Sequence, residues 1–117
     1  MSLIIFVLSN PEKLDDLLSA WEAAGASGAT ILASTGMGRL RQSTMLRDDF
    51  PLIPGLEDIF RHEETSSRTL FSLVEDEAVV EAVIAATQKV VGDLSQPNTG
   101  ILMVLPVSRA LGLKKCP

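Results

Sequence analysis

Apolar and polar positions follow two different periods along this chain, and the switches between them mark out its elements. Leu3–Leu8 (LIIFVL) is an unbroken apolar run of strand length, suited to a strand at the centre of a sheet. Asn10 then offers a helix cap with Pro11 in the first turn, and Leu14, Leu17, Leu18 and Trp21 recur at the i, i+3, i+4, i+7 spacing of one buried stripe. Glu12, Asp15 and Asp16 lie near the positive end of that helix dipole, and Gly25 supplies a left-handed stop. Ala29–Thr35 (ATILAST) is β-compatible, and Arg68–Val74 (RTLFSLV) alternates as a strand does. Glu75 and Asp76 open a second helix whose stripe is Val79, Val80, Val83, Ile84, Thr87, Val90 and Val91, closed by Gly92. A polar turn (DLSQPNT) leads to a last strand in GILMVLPV that ends near Pro106, and the tail SRALGLKKCP follows.

The order strand, helix, strand, long connection, strand, helix, strand predicts one α+β domain over residues 1–117. Two right-handed crossovers with interleaved strands give the ferredoxin-like arrangement βαββαβ: a four-stranded antiparallel sheet with both helices on one face. The strands do not alternate cleanly between apolar and polar, so both sheet faces are expected to be covered. Three sheets packed around an axis, a homotrimer, would achieve that. The connection, about 36–67, has neither period, and unpatterned stretches of that length inside a compact domain call for a functional explanation.

Composition sharpens this picture in three ways. The residues are 46% hydrophobic but only 4% aromatic, so the core must be aliphatic, with Trp21 the lone indole and no tyrosine. Such apolar richness in 117 residues favours an oligomer that covers part of it. A net charge of -5 argues against a general nucleic-acid or anionic-membrane binder. The start, MSLIIFVLSNPE, lacks a basic n-region and breaks at Asn10-Pro11, so neither a signal peptide nor a membrane span is predicted and a cytoplasmic protein is expected. Cys116 is the one cysteine, which excludes an internal disulfide.

Candidate chemistry is sparse. A nucleophilic triad needs a base, and the single histidine, His62, stands in the unpatterned connection with no G-x-S-x-G serine nearby. His62, Glu63 and Glu64 are candidate metal ligands, though adjacent loop residues lack the i, i+4 geometry of a helical zinc pair. Gly36-Met37-Gly38-Arg39 lacks the third glycine and the lysine of a phosphate-loop fingerprint. Acylphosphatases share the expected arrangement, but their phosphate loop would fall on Ser9-Asn10-Pro11-Glu12, which has neither glycine nor arginine. Arg39, Arg41, Arg47, Arg61 and Arg68 make up half of the 10 basic residues and cluster in or beside the connection. Arginine grips phosphate and carboxylate bidentately, so Arg39, flanked by glycine, is a candidate anion ligand. The same charges also suffice simply to keep a loop solvated.

Element order and residues together resemble the PII signal-transduction (nitrogen regulatory) family. Gly25-Ala26-Ser27-Gly28-Ala29-Thr30 leading to Gly36-Met37-Gly38-Arg39 is similar to the family's G-x-T-G-x-T followed by G-F-G-R at the same spacing. VEDEAVVEAVIAAT and GILMVLPVSRA resemble its second helix and its ending. The resemblance implies a non-catalytic, trimeric signalling protein with ligand clefts between subunits. The long connection would be its T-loop, docking on a regulated transporter or enzyme through Arg41, Arg47, Phe50 and Leu52. Adenine-nucleotide contacts carry over to Thr30, Gly36, Met37, Gly38, Arg39 and Leu73, with Thr99 and Gly100 at the phosphate loop and Lys114 in the C-terminal segment.

Departures from the family pattern limit what is carried over. Asn98-Thr99-Gly100 lacks the lysine of the phosphate loop, and Gly112 and Lys114 replace two arginines, so ADP, AMP, cyclic AMP or another small anion is expected in preference to a triphosphate. Leu40 replaces the glutamine that helps hold 2-oxoglutarate with magnesium, and the absence of tyrosine rules out loop uridylylation. The alternative is a trimer like the divalent-cation tolerance (CutA-type) proteins, with His62, Glu63 and Glu64 on the metal.

Overall fold

A computed structural model describes residues 1–36, 67–97 and 99–113. Strand β1 spans Ser2–Leu8, and a 3₁₀ turn at Pro11–Lys13 leads into helix α1, Leu14–Ala24. Strands β2 (Thr30–Ser34) and β3 (Ser67–Val74) precede helix α2 (Glu77–Val91) and strand β4 (Ile101–Pro106). The sheet order is β2-β3-β1-β4 with every neighbouring pair antiparallel, which is the expected ferredoxin-like topology.

Local chemistry explains where the helices begin and end. Asn10 caps the first turn by accepting from the Glu12 amide at 3.1 Å, with Pro11 at a position where no amide is needed. Gly25, at φ +110°, closes α1: its amide donates to the Glu22 carbonyl and that of Ala26 to the Trp21 carbonyl, a complete Schellman motif. Asp76 caps α2 through the Ala78 amide at 2.9 Å, and Gly92 ends it.

Both helices cover one face of the sheet. Ile4, Phe6 and Leu8 of β1 and Leu70 of β3 meet Leu17 and Trp21 of α1 and Val80, Val83 and Val91 of α2 in one core. Thr87 is the polar member of the α2 stripe and is fully buried. It is accommodated because the Trp21 indole N–H donates to its Oγ1 at 2.8 Å and its own hydroxyl donates to the Val83 carbonyl at 2.7 Å. No described buried side-chain polar atom lacks a partner.

The opposite face is open. Direct antiparallel pairing puts Leu3, Ile5 and Val7 on the same side as Leu73, Phe71 and Thr69 of β3 and Leu105, Met103 and Ile101 of β4. Thr30 and Leu32 of β2 join them through Phe71 and Thr69. Leu32 and Ile101 are 51% and 62% exposed, and no described helix covers this apolar face. No described helix is long and apolar enough to cross a membrane.

Candidate functional site

Strand pairing decides which candidate residues can meet. Thr30, on edge strand β2, stands opposite Phe71, and Leu73 follows two positions along on the same face of β3. Thr30 and Leu73 are therefore diagonal neighbours on the open face, within reach of one small ligand. Gly36 lies two residues beyond the end of β2 and is exposed.

Thr99 and Gly100 belong to the turn before β4. Gly100 has φ +125°, and a Cβ there would lie 2.4 Å from the Val7 carbonyl oxygen, so no other residue fits this approach to β1. The Thr99 hydroxyl donates to the Gln96 carbonyl at 2.9 Å. Asp93 folds the turn back on itself by accepting from the Ser95 amide at 2.9 Å and the Ser95 hydroxyl at 2.8 Å, and these bonds, the amide's first, hold its carboxyl below the usual range. The turn thus satisfies several of its own polar groups and arrives at β4 through an obligatory glycine.

Gly36 and Gly100 lie at the same end of the sheet, because Ser34 pairs Ser67, Leu8 pairs Arg68 and Val7 pairs Ile101. They lie at opposite edges, β2 and β4, three strand spacings or about 14 Å apart. Among the described residues, Gly36 and Gly100 do not share one pocket within a chain. Met37, Gly38, Arg39, Arg41, Arg47, Phe50, Leu52 and Lys114 lie outside the described residues, as do His62, Glu63 and Glu64. Among the described residues no three His, Cys, Asp or Glu side chains are grouped to hold a metal ion.

A cleft of about 230 Å³ opens at the other end of the sheet, lined by Gly25, Ser27, Leu73, Val74, Glu75, Asp76, Val79 and Leu113. Among the described candidate residues, Leu73 is the one that lines it. The spacing of residues shows Val79 as a core position and Leu113 as tail, and no periodic signal brings them together. Leu73, Val74, Val79 and Leu113 give it apolar walls, while Glu75 and Asp76 place carboxylates at its rim and none of the described lining residues is cationic. Its chemistry suits a flat apolar group with a few hydrogen-bonding edges, and a phosphate would have to lie away from Glu75 and Asp76.

The family model for nitrogen regulatory protein P-II matches residues 1–115. A search of curated proteins finds no match.

Proposed function

The chain belongs to the nitrogen regulatory protein P-II family, and from that membership we infer a non-catalytic regulator that works as a homotrimer and reports a small anionic ligand to a partner protein. Members of this family typically form trimers and bind the proteins they regulate. The observation that carries the reading is the placement of Gly36 and Gly100 at one end of the sheet but on opposite edges. A heterologous contact between successive copies, closed into a ring, would set the β2 edge of one beside the β4 edge of the next. Such a seam gathers the two glycine segments, and glycine lets backbone amides approach a phosphate. The open face with Leu32, Phe71, Ile101, Met103 and Leu105 supports the same assembly, since an apolar face of that extent is costly to leave in water.

In this reading the ligand is an adenine nucleotide with few phosphates, ADP, AMP or cyclic AMP. Thr30 and Leu73 meet the base, and Gly36 to Arg39 of one copy meet the phosphate with Thr99 and Gly100. Lys114 adds a cation. The connection then docks on a regulated transporter or enzyme in the cytoplasm through Arg41, Arg47, Phe50 and Leu52, and ligand occupancy biases that docking. Isothermal calorimetry with ADP, AMP and cyclic AMP tests it. Binding by the native trimer is expected, weakened roughly tenfold or more by Arg39→Ala, which removes a charge-assisted bond. No heat from any of the three at millimolar concentration would refute the nucleotide reading.

A further inference from the structure

Strand β2 has no inside and outside of its own: Thr30, Ile31, Leu32 and Ala33 are all exposed. A strand with neither face buried has no burial to fix its register. The chain between Ser34 and Ser67 is also far too long to set the register as a two-residue hairpin turn does. Polar side chains instead tie β2 and its approach to β3 at both ends and on both faces. On the open face the Thr69 hydroxyl donates to Ser34 Oγ at 2.9 Å, and the Ser67 hydroxyl donates to the Ser34 carbonyl at 3.2 Å. The hydroxyl oxygens of Ser34 and Ser67 also lie 3.0 Å apart, within hydrogen-bond distance. On the helix side, at the other end, the buried Ser72 hydroxyl donates to the Gly28 carbonyl.

We propose that Ser34, Ser67, Thr69 and Ser72 are positioning residues that set the register of β2 and so place Thr30 and Gly36. A slip of one residue would turn Thr30 to the helix side, bring Ile31 to the open face and shift Gly36 by about 3.3 Å along the strand. It would also break the contacts of Ser34 Oγ with Ser67 and Thr69, because the Ser34 side chain would then point to the other face. What Thr30 and Gly36 bind rests on the nucleotide reading; the register does not.

Cysteine pairs in the full chain, with Cys116→Ser, test the inference. Thr30→Cys with Phe71→Cys are opposed in the native register and close enough to bridge, whereas Ile31→Cys with Phe71→Cys point to opposite faces until β2 slips. Oxidation with diamide is expected to link only the first pair when the four hydroxyls are intact, read from linked peptides of the single-chain band. Adding Ser34→Ala, Ser67→Ala, Thr69→Val and Ser72→Ala is expected to make the second pair link, each lost hydrogen bond shifting the balance roughly fivefold. Exclusive linking of the native pair in this fourfold variant would overturn the proposal. Should that variant not fold, Thr69→Val alone, with Thr69→Ser as the control that keeps the donor, must speed amide exchange in β2 relative to β1; equal rates would overturn it too. If the unaltered chain binds no nucleotide, the nucleotide reading fails while the linking pattern still decides the register.

Discussion

Gly100 shows how much one residue can depend on the absence of a side chain. Any Cβ at that position meets the Val7 carbonyl oxygen and the Phe6 ring, and φ +125° is a conformation L residues avoid. Gly100→Ala is therefore expected to cost about 3 kcal/mol or more, measured as a lower urea midpoint, because the backbone of β1 cannot yield as a flexible side chain would. Thr87 makes the complementary point. Its hydroxyl accepts from Trp21 and donates to Val83 in a fully buried place, so Thr87→Val leaves the indole N–H without a partner. A loss of about 1–3 kcal/mol is expected, with Thr87→Ser keeping most of the stability, and the fluorescence of the single tryptophan reports both.

Among the elements, α2 ties the core to the cleft. Its inner stripe of Val80, Val83, Thr87 and Val91 fills the space beneath β1 and β3, while Val79 reaches the cleft and Asp76 both caps the helix and stands at the cleft's rim. Asp76→Ala should lower stability by about 1 kcal/mol in thermal unfolding through loss of the cap. Asp76→Asn keeps a capping oxygen, so in that variant stability should hold nearly constant. The α2 stripe and both caps were legible in the sequence, since they depend on residues a few positions apart. The strand spans were legible to within a residue at most ends: Arg68–Val74 extends to Ser67, and Ala29–Thr35 shortens to Thr30–Ser34.

At the scale of the whole molecule the open face of the sheet dominates. Ile5, Phe71 and Met103 lie in one row across three strands, on the face that no described helix covers. If copies associate through this face, sedimentation equilibrium of the native protein should give three times the chain mass. Met103→Glu should then yield lone chains that keep their helical circular dichroism, because Met103 is 42% exposed and contributes little to the internal core. A trimer of unchanged mass in that variant would move the interface elsewhere.

Periodicity, capping chemistry and punctuation by glycine and proline were enough to identify four strands, two helices and their order, because a helix stripe or a cap is a relation among near neighbours. The likeness of Gly25–Thr30 and Gly36–Arg39 to a family pattern pointed to Thr30 and Gly36 in the same way. The fold alone decided that Gly36 and Gly100 fall on opposite edges, that Leu73 shares a cleft with Leu113, and that hydroxyls of Ser34, Ser67 and Thr69 come together at the root of the long connection. Those relations join residues tens of positions apart through strand order and register, for which no local pattern carries a signal.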